Sequence, residues 1–189
     1  MLFRSTEDDI VSVIRDASRL TVNAGKTVHR GIELGLDYRV NNEWQLGLSL
    51  THTDQSYKDF NYVFFSRTCF CNQQINFAGN QVGKAPQNLA NLRLAYNPEI
   101  LPEFKAELEW DSVGKYYTDE TNTQTYKGHN LLNLRLNYTV SDQFNLYLRG
   151  ANLADKLYST YTSNQVNDTD ISYRPGMPRS WFVGLRWSF

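Results

Sequence analysis

Two cysteines stand one residue apart, Cys69 and Cys71, within Thr68-Cys69-Phe70-Cys71-Asn72. A loop disulfide between residues i and i+2 is attainable, though cramped for the usual Cα separation. Free thiols are the second possibility. A metal centre is the third; it needs about three or four ligands, and no histidine lies near the pair in sequence. The histidines, His29, His52 and His129, are dispersed: His29 and His129 read as strand starts and His52 as lying near a strand top. No Ser/His/Asp order, HExxH, P-loop or GxGxxG occurs, so catalysis, a bound cofactor and a metal are not expected. Binding chemistry is better represented. Tyr57, Phe60, Tyr62, Phe64, Phe65, Phe70 and Phe77 crowd one polar stretch. Such rings can stack on catechol or heterocyclic groups, or they can pack on one another. Arg93, Arg135, Arg149 and Arg186 could meet an anion, or pair across strands with Glu33, Glu107 and Glu109.

The elements that position these residues alternate with period two, the strand signature. Ile32, Leu34, Leu36, Tyr38 and Val40 share one face, and Gly31, Glu33, Gly35, Asp37 and Arg39 the other. The pattern recurs over Trp44–Thr51, Ala90–Tyr96, Phe104–Asp111, Leu132–Val140, Phe144–Arg149 and Trp181–Phe189, with a weaker case at Ile10–Ile14. Asn41-Asn42 and Ser141-Asp142 read as two-residue turns, and Asn97 to Pro102 as a short one bounded by proline. The remaining connections are long and polar, roughly Tyr57 to Ala85, Thr118 to Lys127 and Leu153 to Pro178. Aromatics on the apolar face gather beside the short turns: Tyr38, Trp44, Tyr96, Phe104, Tyr138, Phe144, Trp187 and Phe189. The opposite face carries ten charges: Glu33, Asp37, Arg39, Arg93, Lys105, Glu107, Glu109, Arg135, Arg149 and Arg186.

The 189 residues carry a net charge of -1, which argues against a nucleic-acid partner. No run of about 18 apolar residues occurs, so no transmembrane helix is expected. Aromatics reach 14% within a hydrophobic total of only 41%. Polar on average yet rich in rings, with charges on one strand face and aromatics at one end of the other, is the make-up of a membrane β-barrel with a wet interior. Short turns on one side and long loops on the other fit the same layout. A soluble sandwich also alternates, but usually buries its apolar face in one core and carries shorter loops. The strands number about eight, enough for a small complete barrel; a wider barrel of about 22 strands houses ten inward charges more easily. The chain is too short for that alone, because each membrane span takes about 9–11 residues.

Motifs then bring a family into view. Val22-Asn23-Ala24-Gly25-Lys26-Thr27 leads into Arg30-Gly31-Ile32-Glu33-Leu34. Pro86-Gln87-Asn88-Leu89-Ala90-Asn91-Leu92 follows the first long loop, and Ala151-Asn152-Leu153-Ala154-Asp155-Lys156-Leu157-Tyr158 opens the last. Tyr173-Arg174-Pro175-Gly176-Met177-Pro178-Arg179-Ser180 then runs into a strand ending at Phe189. In this order, the stretches resemble the C-terminal part of a TonB-dependent outer-membrane receptor, from about Glu7 to Phe189.

The resemblance implies an all-β antiparallel section of about eight strands, residues 1–189 forming the C-terminal part of a plugged barrel of about 22 strands. The signal peptide, TonB box and plug are expected to lie outside the chain. It further implies active uptake of a scarce nutrient, foremost a ferric siderophore complex, at the outer membrane of a Gram-negative bacterium. The implied partners are outer-membrane lipid, the barrel-assembly machinery, the TonB system acting through the plug, and the ligand. Trp181, Val183, Leu185, Trp187 and Phe189 resemble the assembly signal that pairs with an exposed strand edge. Tyr57, Phe60, Tyr62, Phe64, Phe65 and Phe70 are the candidate ligand contacts. Two other readings remain: a self-contained eight-stranded barrel with a structural or adhesive role, and a soluble β-sandwich binding module. An eight-stranded outer-membrane acyltransferase is the remote enzyme reading.

Overall fold

A computed structural model describes residues 1–15, 18–66, 68–164 and 170–188, with the side chains of residues 7–24, 64 and 65 excepted. Its described secondary structure is entirely β. The strands are β1 (Leu2–Arg15), β2 (Ser18–Arg39), β3 (Trp44–Asp59), β4 (Asn61–Ser66), β5 (Cys71–Asn76), β6 (Asn88–Tyr96) and β7 (Phe104–Val113). They continue as β8 (Tyr116–Tyr117), β9 (Thr125–Tyr126), β10 (His129–Ser141), β11 (Phe144–Ala151), β12 (Ser159–Ser163), β13 (Ser172–Pro175) and β14 (Ser180–Trp187). One eight-stranded antiparallel sheet carries the order β1-β2-β3-β6-β7-β10-β11-β14. The three remaining pairs, β4–β5, β8–β9 and β12–β13, are small hairpins within the long connections. Among the described residues β1 and β14 form no ladder with one another, so the sheet is open.

Register puts every apolar row on one face. Leu36 opposes Leu48, and Leu48 opposes Leu92. Leu92 opposes Trp110, which opposes Leu132. Farther along, Leu136 opposes Leu148 and Leu148 opposes Val183. Among the described residues nothing covers this face: Leu34, Leu36, Leu94, Leu108 and Leu185 are all exposed, and Val183 is 80% exposed. A compact soluble chain of 21.9 kDa exposes about 9,300 Å². This one exposes 12842 Å². A sandwich would bury its alternating apolar rows against a second layer; here the only solvent that suits them is hydrocarbon. The packed core of the described residues lies instead in the first long loop, around Tyr57, Phe60 and Phe77.

The aromatic girdle sits where expected. Trp44 and Tyr96 are cross-strand partners with ring centroids 4.4 Å apart. Phe144 faces Trp187 at 5.9 Å, the two rings parallel, and Tyr138 opposes Phe104. These pairs end the strands at the short turns, as amphipathic rings do at a membrane–water interface. Phe189 lies outside the described residues. At the tightest of these turns, Asn41 Oδ1 accepts from Glu43 N at 2.9 Å and Trp44 N at 2.8 Å, an Asx cap that closes the β2–β3 connection.

Three sequence expectations change. The weak strand at Ile10–Ile14 is part of a 14-residue β1, and β2 is 22 residues long, starting well before Gly31. The added residues mix polar and apolar types, and one antiparallel ladder, from Leu2↔Ile32 to Arg15↔Ser18, pairs the two strands over this length. At the usual rise, β2 is about 70 Å long, against about 30 Å of hydrocarbon, so the β1–β2 hairpin projects far beyond the membrane on the long-loop side. His29 consequently lies inside β2, not at a strand start, whereas His129 does open β10.

Candidate functional site

Two regions could contact a solute: the polar face of the sheet and the loops above it. On the polar face, Arg135 of β10 reaches across to β7. Its Nη1 donates to Glu107 Oε1 at 2.6 Å and its Nη2 to Glu109 Oε2 at 2.8 Å. The two glutamates are adjacent on one face because strand side chains repeat every second residue. A planar guanidinium offers two forked donors, so one arginine serves both carboxylates. Beside this fork, Asp111 accepts from Asn91 at 2.7 Å and from Asn133 at 2.9 Å. Arg93 leans toward Asp37 at 3.9 Å. Partial exposure keeps each ion pair near about 1 kcal/mol or less; their effect is to fix charges in rows along a wet wall.

Arg149 stands directly opposite Arg135, and Arg186 opposite Asn145. Among the described residues neither is within ion-pair distance of a carboxylate. The wall therefore offers unneutralised positive charge toward β14 and a closed charge network toward β7.

The loops are knitted by side-chain amides. Asn80 Nδ2 donates to Glu120 O at 2.8 Å, and Asn122 exchanges two bonds with the Gln81 backbone at 2.7 and 2.9 Å. Lys84 meets Glu120 at 3.4 Å. Asn164 Nδ2 and Thr121 Oγ1 both donate to Asp119 Oδ2, at 2.6 and 2.8 Å, and Thr118 donates to Asn164. Thr162 donates to Tyr116 OH at 2.7 Å. Asp119 is fully buried. These bonds tie residues 80–84, 116–122 and 162–164 together. Sequence reading missed these residues. The only signal was the polar run Thr118-Asp119-Glu120-Thr121-Asn122-Thr123, which reads as an ordinary solvated loop.

The candidate ligand contacts divide. Tyr57 is 5% and Phe60 3% exposed, packed at 4.9 Å from each other, with Phe77 5.4 Å from Phe60. Tyr62 packs on the same cluster, 6.0 Å from Phe77. These rings hold the loop together, the alternative the sequence left open. The side chains of Phe64 and Phe65 lie outside the described residues. Phe70 is 82% exposed at the tip of the β4–β5 hairpin, with φ 51°, between the two cysteines. Cys69 and Cys71 form a disulfide with Cα atoms 5.2 Å apart, which selects one of the three cysteine chemistries.

The Asn152-to-Tyr158 motif is a structural clasp. Asn152 Nδ2 donates to Lys156 O at 2.9 Å and Met177 O at 3.0 Å, while its Oδ1 accepts from Lys156 N at 2.9 Å. Asp155 Oδ1 accepts from Arg179 N at 2.9 Å. Gly176 lies against the Tyr158 ring, where a Cβ would sit 2.1 Å from Cζ. The first motif of the last loop thereby grips the Pro-Gly-Met-Pro-Arg motif at its end. Each histidine has a local partner: His29 donates from Nδ1 to Gln55 at 3.1 Å, His52 from Nδ1 to Asn88 at 2.8 Å, and His129 Nδ1 accepts from Tyr126 OH at 3.0 Å.

Comparison with known proteins gives this geometry a family. Residues 2–153 match the family model described as TonB dependent receptor-like, beta-barrel. A curated relative, "Probable TonB-dependent siderophore receptor PiuA" of Acinetobacter baumannii, is 26% identical over 150 residues, covering 78% of this chain and 20% of the relative. The crystal structure of the siderophore receptor PiuA from Acinetobacter baumannii superposes with a TM-score of 0.75 at 21% identity, over 98% of this chain and 25% of that one. BauA, the ferric preacinetobactin receptor of the same species, gives 0.67 at 19% identity, over 100% of this chain and 26% of that one. The copper transporter OprC gives 0.68 at 17% identity, over 98% and 28%. The chain spans about a fifth to a quarter of the length of these proteins. An open antiparallel sheet, bare on its apolar face and charged on the other, matches a stretch of receptor barrel over its whole width, and the chain belongs to the TonB-dependent receptor β-barrel family.

Proposed function

We propose that residues 1–189 form the C-terminal section of the barrel wall of an outer-membrane TonB-dependent receptor that actively imports a ferric siderophore. The observation that carries the reading is the two-faced sheet: uncovered apolar rows with an aromatic girdle on one side, a charged and hydrogen-bonded wall on the other. Only a lipid exterior and a wet interior satisfy both faces at once. The siderophore assignment leans on PiuA, a siderophore receptor, with BauA, a ferric preacinetobactin receptor, beside it. OprC, with the same fold, is a copper transporter, so fold alone does not choose the cargo. Arg149 and Arg186, without an ion-pair partner among the described residues, favour an anionic solute or acidic groups of a plug. Phe70 is the loop aromatic we retain as a contact from above.

The section works with partners. A plug inside the barrel would couple the ligand site to TonB, and lipid would surround the wall. The row Trp181, Val183, Leu185, Trp187 and Phe189 would be read by the barrel-assembly machinery at the β14 edge. The role is transport rather than catalysis. The test is uptake of radioactive ferric siderophores by iron-starved cells with and without the gene that encodes this chain, with TonB intact or removed. The account expects TonB-dependent accumulation of at least one ferric siderophore to disappear with the gene. Unchanged accumulation across catecholate, hydroxamate and mixed-ligand siderophores would overturn the siderophore assignment.

A further inference from the structure

The outward face carries a basic recess directly above the apolar rows. Arg4 of β1, Arg30 of β2 and Lys58 of β3 surround an open space of about 250 Å³, with Thr6, Val28, Asp54 and Ser56 completing its wall. Register fixes which side it is on. Arg4 opposes Arg30, and one rung below them Leu2 opposes Ile32. Leu34 opposes Leu50 a rung lower still. Residues two apart share a face, so the recess lies on the lipid side, about 7 Å beyond the last apolar rung. It is on the side of the long loops, away from the girdle of short-turn aromatics. The intervening residues Thr27, Thr53 and Tyr57 are buried beneath the loops on the other face, so the recess opens outward.

Among the described residues that line the recess, three cations face one carboxylate, that of Asp54. Among the described residues none of Arg4, Arg30 and Lys58 lies within ion-pair distance of an acidic group. Two arginines directly opposite on neighbouring strands repel one another. A doubly charged anion between them would convert that cost into charge-assisted hydrogen bonds, and guanidinium matches phosphate oxygens in a fork. The Thr6 and Ser56 hydroxyls add neutral donors.

We infer that this recess binds the phosphate of an anionic lipid of the outer leaflet, whose acyl chains run down over Leu2, Ile32, Leu34 and Leu50. Those residues are exposed, Leu2 to 78%, and continuous with the recess, so headgroup and tails of one lipid are met in register. The inference rests on the outer-membrane reading, which places the long-loop side outward.

The test uses the native protein purified from outer membranes in neutral detergent, with retained lipid measured by native mass spectrometry. The probes are diphosphoryl lipid A, the same lipid with its phosphates removed, and inorganic phosphate. R4Q, R30Q and K58Q are each expected to weaken diphosphoryl lipid A retention about fivefold, and the triple variant about a hundredfold. Lys105→Gln, a cation on the opposite face, is expected to behave as wild type, and the dephosphorylated lipid to bind wild type no better than the triple variant. Equal retention by wild type and triple variant overturns the proposal. Displacement of the lipid by inorganic phosphate at equal concentration also overturns it, marking a free-phosphate pocket instead. The same samples are run unheated and heated on a gel. A protein that is soluble and monodisperse without detergent sinks the membrane reading and the lipid site with it. A heat-modifiable barrel indifferent to lipid A phosphate sinks the lipid site alone.

Discussion

Replacing Asn152 tests whether the motif of the last loop is a clasp. The side chain is 2% exposed and makes three hydrogen bonds, two donated and one accepted. Alanine leaves two partly buried carbonyls and one amide without their partner, at about 1 kcal/mol each, or about 3 kcal/mol together. Asn152 also has φ 51°, where asparagine is tolerated and alanine costs about 1 kcal/mol more. N152A is therefore expected to destabilise by about 4 kcal/mol, and N152G by about 3 kcal/mol, since glycine loses the bonds but accepts the conformation. The two are compared by urea unfolding of the purified protein in detergent, followed by tryptophan fluorescence. Amide exchange at Lys156 gives the local readout, because its N–H is the bond Asn152 Oδ1 accepts. N152A within about 0.5 kcal/mol of wild type, with Lys156 still protected, would refute the clasp.

On the charged wall, Arg135→Met is expected to cost about 1 kcal/mol, as exposed pairs do, and most of that cost should vanish when Glu109→Gln is added; a double-mutant cycle in detergent measures the coupling. Gly128 has φ +82°, and a Cβ there would lie 2.1 Å from the Val113 carbonyl oxygen, so G128A should cost about 2 kcal/mol or more by thermal unfolding. Reduction of Cys69–Cys71 or the C71S change should leave the unfolding transition of the sheet in place, because the bridge spans one residue at a hairpin tip, while chymotrypsin cleavage beside Phe70 accelerates several-fold.

The wall of the sheet was legible in the sequence because its signal is local. Each row from Leu34 to Leu185 alternates with polar residues, and period two requires no partner to be known. Trp44, Tyr96, Phe144 and Trp187 were legible as a girdle for the same reason, since each closes a strand beside a short turn. The β1–β2 hairpin was only half legible: the weak alternation at Ile10–Ile14 marks part of β1 alone, and pairs such as Val11↔Val22 and Val13↔Leu20 appear only once the two strands are set in register. The loop network was not legible at all. Asp119 and Asn164 are 45 residues apart and Asn122 and Gln81 are 41 apart, and nothing in a run of small polar residues says which distant amide it will meet. The loop aromatics carried two meanings at once, and only packing distances separate a ring that holds its loop from one that faces outward. The pairing of Arg135 with both Glu107 and Glu109 needed register, which fixes it across strands once the turns are known.

The central claim is that one face of this sheet meets hydrocarbon and the other meets water. The most direct measurement places single nitroxide labels at positions 34 to 38 of the protein in lipid vesicles and reads their accessibility to oxygen and to a water-soluble nickel chelate. The account predicts that labels at Leu34, Leu36 and Tyr38 are reached by oxygen and shielded from nickel, and that those at Gly35 and Asp37 show the reverse. Five positions of equal accessibility, or an apolar row freely reached by nickel, would contradict it.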